Sequence, residues 1–450
     1  MAKSVKIRKG VDIKLVGKAE KVYTVTTSDT YAIKPTDFHG VVPKLTVKVG
    51  AEVKAGDSLF FDKNHPEVIF TSPVSGEVVE INRGAKRKIL EVKVLADKQV
   101  RYKEFRKADP KSLSREEILG QLLEAGIFPS IRQRPFDVMA NPQLTPKSVV
   151  VSAFDSAPLA PDYDFIVHGK ERLFQVGIDA LTQLTTGKVH LNVRGDSNPS
   201  EVFTKAKNVQ LNSFSGPHPA GNAGVQLHHI DPINKGENVW VLDPQAVLAI
   251  GMLFEEGRYN AERVIALVGS EVEKPRYIKV IQGTCVKNLL EGNLKQGKDL
   301  RIISGNVLTG TTITQEGYLG FYHPQITVIP EGNHSEFLGW IAPGFDKFSL
   351  SRTFFSWLMP SKNYSLDTNK HGEKRAFVVT GQYEKVFPMD IYPMHLIKAI
   401  MVEDVELMEN LGIYEVAPED FALCEFACTS KINLQDIVRE GLDIVRKEYG

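Results

Sequence analysis

Val47-Lys-Val-Gly50-Ala-Glu-Val53-Lys-Ala-Gly56-Asp-Ser-Leu59-Phe60 places apolar residues and glycines at repeated three-residue offsets. Glycine reaches left-handed turns without a Cβ clash, and β-branched valine suits a pleated strand. The stretch therefore predicts short strands joined by tight turns. Working outward, Val68-Ile69-Phe70 and Ser72-Pro73-Val74-Ser75-Gly76-Glu77-Val78 continue the pattern, so residues 1–100 are expected to form one β-rich module. The basic run Arg83-Gly-Ala-Lys86-Arg87-Lys88 reads as a solvated turn between two of its strands.

Residues 101–256 alternate strand and helix signals. Ser148 to Phe154 is a buried-strand run, Leu173 to Leu184 has helical spacing, Lys188 to Val193 alternates like a strand, and Val239 to Glu256 reads as one helix. Such alternation implies a Rossmann-like α/β layer. Residues 257–335 change character. Val264 to Val268 reads as one more strand of the preceding alternation, whereas strands at Arg276 to Ile281 and Leu300 to Ile303, with a short helix expected from Val286 to Leu294, predict a small β-grasp unit. Residues 336–450 hold an aromatic-rich interval and then a helical domain. The interval contains Phe337, Trp340, Phe345, Phe348, Phe354, Phe355, Trp357 and Tyr364, which fits either a partner surface or a satellite core. From about residue 394 the pattern is helical, with a helix opening at Pro418-Glu419-Asp420 and running through Cys424 and Cys428. The expected fold class is thus a multidomain α/β and α+β protein.

Composition excludes several function classes. The chain has 450 residues, with 55 basic against 55 acidic, so it lacks the basic surplus of a nucleic-acid binder. No stretch approaches the roughly 18 apolar residues that span a bilayer. The opening residues carry charge without an apolar segment behind it, which predicts no signal peptide. Membrane work would then need membrane-embedded partners. Three cysteines, Cys285, Cys424 and Cys428, are too few for a disulfide framework.

The motifs are informative mainly by absence. A dinucleotide fingerprint needs glycines two apart so that backbone can approach a pyrophosphate, and no two of the 35 glycines are so placed. Cys424 and Cys428 form a C-x3-C pair whose thiols share a helical face, but a four-thiolate cluster cannot be completed with Cys285 alone. They read as structural core residues. His228 and His229 are adjacent; on a strand their rings would point to opposite faces, which is poor geometry for one metal. The loop from Ser215 to Gly224 surrounds His218 with two prolines and three glycines. It fits a ligand-site or interface wall, or a tight structural crossover.

Residues 1–100 resemble the lipoyl and biotinyl barrel-sandwich module, whose carrier lysine sits at a tight hairpin. The candidate is Lys63, but Asn64-His65-Pro66 lengthens the link to the next strand and argues against modification.

Three further segments carry a second resemblance. They are Val5-Lys-Ile-Arg-Lys-Gly-Val-Asp12, Phe214-Ser-Gly-Pro-His-Pro-Ala-Gly221, and Asp390-Ile-Tyr-Pro393 through Ala422-Leu-Cys-Glu-Phe-Ala-Cys-Thr-Ser-Lys431. Together they resemble the A subunits of the sodium-translocating NADH:quinone oxidoreductase, over nearly the whole chain. The family is related to the Rnf complex C subunit and to the flavin-binding subunit of respiratory complex I. The resemblance implies a peripheral subunit on the cytoplasmic face of a bacterial inner membrane. Its partners would be subunits B to F, with no nucleic acid and with membrane contact only through those partners. The complex oxidises NADH, reduces ubiquinone and exports sodium, using flavins and iron–sulfur centres in other subunits. The related subunits bind flavin with a glycine-rich loop after an A-G-I segment. Here Ala125-Gly126-Ile127 is followed by Phe128-Pro-Ser-Ile-Arg-Gln-Arg-Pro-Phe136, without a further glycine until Gly169. The resemblance therefore implies an SLBB-like β-grasp domain, a degenerate cluster domain, and no cofactor held by this chain. It also links the subunit to quinone, for which His218, His228, His229 and the aromatic interval are the candidate contacts. The rival readings are an Rnf-type electron-transfer subunit with bound cofactor and a lipoyl or biotin carrier.

Overall fold

The computed structural model describes residues 3–449 except 335 and 340, so Trp340 of the aromatic interval lies outside the described residues. The α/β layer is a sheet in the order Ser4–Lys6, Gln210–Ser215, Lys188–Arg194, Ser148–Ser152, Val239–Leu242, Arg132–Arg134, Val138–Met139. The first five run parallel and the last two are antiparallel additions at one edge. Helices Glu171–Leu184 and Pro244–Glu256 cross closely on this sheet. A Cβ on Gly177 would stand 2.1 Å from the Val247 carbonyl oxygen, and one on Gly251 would stand 2.0 Å from that of Leu173. Only glycine permits that approach.

The barrel-sandwich consists of a sheet Thr30–Ile33, Ile89–Ala96, Gly76–Arg83, Glu52–Val53 and a second sheet Pro43–Leu45, Ser58–Asp62, Ile69–Thr71. Phe60 stacks on Phe70 between them at 4.5 Å. Residues 83–88 are indeed the turn joining two strands, with all four cations exposed. The third sheet is Thr311–Ile313, Leu300–Ser304, Gln325–Pro330, Glu262–Val268, Arg276–Ile281, Glu20–Val25. C-terminal helices Pro393–Met401, Val405–Asn410, Pro418–Ala427 and Leu434–Tyr449 close a separate core around Leu396, Phe421 and Val438.

Several expectations are corrected. The first two strands pair outside the two barrel-sandwich sheets. Ser4–Lys6 pairs parallel to Gln210–Ser215, and Glu20–Val25 pairs parallel to Arg276–Ile281. Their partners lie some two hundred residues away, a distance at which local pattern carries no signal. The single helix expected from Val239 to Glu256 is a strand, Val239–Leu242, followed by helix Pro244–Glu256. Asp243 caps that helix and Pro244 occupies its first turn, while the uniformly apolar run hides the change of period. The helix expected from Val286 to Leu294 shrinks to Lys287–Leu290, with Gly292 beyond it at positive φ. Helix Pro418–Ala427 stops before Cys428, which is its extended C-cap. His228 and His229 lie on helix Ala223–Ile230, not on a strand.

Candidate functional site

Open α/β sheets bind ligands beyond the carboxyl ends of their strands, where the strand order reverses. Here that point lies between Ser148–Ser152 and Val239–Leu242. Asp243 Oδ1 accepts from the amides of Gln245 (2.7 Å) and Ala246 (2.8 Å), so the free N–H groups of that helix start already have a carboxylate. Its other oxygen pairs with Arg263 at 2.9 Å. Beyond the neighbouring strand, Asp155 Oδ1 accepts from the Ala157 amide at 2.8 Å. Burial raises the Asp155 pKa above the usual carboxylate range.

The Phe128–Phe136 segment beside this crevice is filled by its own side chains. Residues Phe128–Ser130 form a short turn, and the amides of Ser130 and Ile131 bond back to the carbonyls of Ile127 and Phe128. Arg134 is buried and meets Glu419 at 2.5 Å, Asp420 at 3.5 Å and Asp137 at 3.6 Å. Arg132 pairs with Asp137 at 3.2 Å. Arg439, from the last helix, donates to the Phe136 and Asp137 carbonyls at 2.6 and 3.3 Å. The network thereby ties the C-terminal helices to the α/β sheet. Burial lifts the Asp420 pKa to about 7 against the opposing pull of Arg134.

His218 is only 4% exposed. Its amide donates to Asp12 at 2.9 Å, and its Nδ1 lies 3.0 Å from Ser156 Oγ, which also receives the Gly221 amide. Burial lowers the ring's pKa to about 4, so it is neutral. The loop packs against the N-terminal segment: a Cβ on Gly10 would stand 2.1 Å from the His218 carbonyl oxygen. His228 spans Glu415 (2.8 Å) and the Asp390 amide (2.9 Å), and His229 Nε2 meets the Pro388 carbonyl at 3.1 Å. These two rings join helix Ala223–Ile230 to the C-terminal domain. None of the three histidines lines either of the cavities described below.

Both C-terminal cysteines are buried around Tyr383, whose hydroxyl donates to Cys428 Sγ at 2.9 Å. Burial pushes the Cys424 thiol well above its ordinary pKa, which keeps it protonated. Cys285 belongs to the third sheet's domain, its Sγ 3.6 Å from the Glu316 carbonyl. No group of three or more His, Cys, Asp or Glu with metal-binding geometry occurs among the described residues. Lys63 is exposed in the link between Ser58–Asp62 and Ile69–Thr71, its amide bonded to the Val42 carbonyl. Asp62 clamps the same link through the Val42 and Asn64 amides. The aromatic interval is split: Phe354 and Tyr364 are buried, while Phe337 is 91% exposed and Phe345, Phe355 and Trp357 are also exposed.

The residues that sequence reasoning missed line a cavity of about 920 Å³. It lies where the barrel-sandwich, the α/β sheet and the last helix meet. Phe136, Val138, Met139 and Leu144 supply its apolar wall, and Gln133, His39, His65 and Arg446 supply polar groups. His39 Nε2 bonds Asp443 at 2.8 Å across the domain boundary, and the buried His65 Nδ1 has no hydrogen-bond partner. Its walls are scattered over residues 39–65, 133–144 and 443–447, so no single motif in the sequence marks it.

A barrel-sandwich, an α/β layer and a third, mixed-sheet domain in one chain define a multidomain α/β protein. Family models match in the same order: the NqrA N-terminal barrel-sandwich hybrid domain over 5–97, the NqrA second alpha/beta domain over 113–259, and the NQRA C-terminal domain over 264–315. A Photorhabdus laumondii protein, named as the A subunit of the Na(+)-translocating NADH-quinone reductase, is 39% identical, covering 99% of this chain and 100% of its own. Proteins of the same name from Rhodopirellula baltica (38%, covering 98% of each chain) and Vibrio parahaemolyticus (37%, covering 98% of this chain and 99% of its own) agree. The chain belongs to the family of A subunits of the Na(+)-translocating NADH-quinone reductase.

Proposed function

We propose that this chain is the peripheral scaffold subunit of a bacterial complex that couples NADH oxidation and ubiquinone reduction to sodium export. It docks on the cytoplasmic face through contacts with subunits B to F, and it holds no flavin or iron–sulfur centre itself. One observation carries this reading: the amides and guanidinium groups at the crevice are already matched to Asp243, Asp155, Asp137, Glu419 and Asp420. An incoming phosphate would have to displace carboxylates that are already ion-paired or hydrogen-bonded there, with Asp420 fully buried among them, a costly exchange. No described helix is long and apolar enough to cross a membrane, which supports attachment through other subunits. The test is to purify a tagged chain from native membranes in mild detergent. Recovery of the other reductase subunits in fixed proportion is expected. Recovery of the chain alone, from membranes whose reductase is active, would overturn the proposal.

A quinone contact is best supported at the cavity beside Phe136 rather than at His218. A quinone ring needs an apolar wall and a donor to its carbonyl, and an imidazole N–H can donate. His65 and His39 face that wall. Met139→Trp, which fills the cavity, is expected to raise the Michaelis constant for quinone with subunit retention unchanged. An unchanged constant would remove the cavity from consideration.

A further inference from the structure

A second cavity, of about 290 Å³, lies where the N-terminal segment meets the aromatic interval. Lys14, Arg352 and Lys362 converge on it, with Trp357, Tyr364 and Phe348 between them. Lys362 is neutralised by Asp346 at 2.5 Å. The other two cations have no carboxylate within salt-bridge distance among the described residues. Lys14 Nζ reaches only the Pro360 carbonyl (3.1 Å), and Arg352 lies over the Trp357 ring at 5.6 Å. The wall also holds one carboxylate, Asp12, which accepts the His218 amide through one oxygen.

Trp357 lines this cavity and also belongs to an exposed apolar group. Phe345, Phe355, Trp357 and Leu358 are each roughly half exposed, and Phe345 meets Phe355 edge-on at 5.9 Å. Burying such a cluster is favourable, and a soluble surface rarely leaves it bare. Aromatic rings interleaved with lysine and arginine suit the bilayer interface: the rings sit at headgroup depth while the cations meet phosphate. We propose that this cavity binds the phosphate headgroup of an anionic phospholipid, with Phe345, Phe355, Trp357 and Leu358 entering the outer edge of the acyl region. The site orients a face that partner subunits bring to the membrane. It is too small to anchor the chain alone at physiological salt.

The experiment uses the isolated full chain, so its failure leaves the subunit reading standing. At low salt, flotation with equimolar phosphatidylcholine–phosphatidylglycerol vesicles is compared with flotation on phosphatidylcholine alone. Anionic vesicles are expected to retain roughly tenfold more protein. Lys14→Ser with Arg352→Asn, chosen because Arg352 has φ 57° and Asn tolerates that backbone, should abolish the difference. Lys86→Asn with Arg87→Asn removes equal charge from the exposed strand turn and should leave it intact. If the first pair misfolds by circular dichroism, Trp357→Ser replaces it and should weaken retention. Equal flotation on both vesicles would overturn the proposal, as would equal loss in the Lys86/Arg87 control. Complete release by inorganic phosphate would make this a free-anion site instead. Wild-type flotation of the Lys14/Arg352 variant, with that variant lost from the assembled reductase, would assign the face to a protein.

Discussion

At the scale of single residues, burial decides what the candidate groups do. His218 titrates near 4 in the folded chain, below the roughly 6.5 of a free imidazole. A depressed folded pKa contributes stability above the unfolded value, and that stability is lost as pH falls from about 6.5 toward 4. His218→Asn is therefore expected to flatten the acid side of the stability profile, by on the order of 3 kcal/mol at its lower end. Urea unfolding at a series of pH values checks this; parallel profiles for the two proteins would contradict it. Cys424 and Cys428 are buried and pack around Tyr383. Replacing both with Ala should cost about 1–2 kcal/mol and leave turnover of the assembled reductase largely intact. Normal assembly with abolished turnover would instead give the thiols a redox role.

At the scale of elements, the charge network at Arg134 does the joining. Helix Pro418–Ala427 brings Glu419 and Asp420 against a guanidinium on strand Arg132–Arg134. Arg134→Met leaves those carboxylates buried without their cation. It should destabilise the chain by about 3–5 kcal/mol in denaturant unfolding, and a loss under about 1 kcal/mol would contradict the account. Elements with clear period or punctuation were legible beforehand: strand Ser148–Ser152, helix Glu171–Leu184 and the turn at 83–88 all fall where the pattern placed them. Val239–Leu242 was not, because a fully buried strand followed by an apolar helix has no readable period. The edge strands Ser4–Lys6 and Glu20–Val25 were not, because their partners are remote. The missing glycines and thinned cysteines motivate the proposal of a cofactor-free subunit but do not point to the candidate site. That site was not legible, because the cavity walls at His39, Phe136 and Arg446 come from three domains.

At the scale of the whole molecule, three domains and a helical cap share interfaces built by the N-terminal strands, the histidine clamps and the arginine network. The chain is expected to stay in solution without detergent, yet to sediment with membranes at physiological salt when its partners are present. Sedimentation undiminished in cells lacking the other subunits would show that lipid contact alone holds it. The central claim is that this subunit shapes and docks the reductase without carrying a redox group. The most direct test is the visible absorption spectrum of the chain, separated from the native complex under non-denaturing conditions and passed through gel filtration. The account predicts no flavin or iron–sulfur absorbance co-eluting with the protein, whereas a stoichiometric flavin band or iron–sulfur shoulder retained in the protein peak would contradict it.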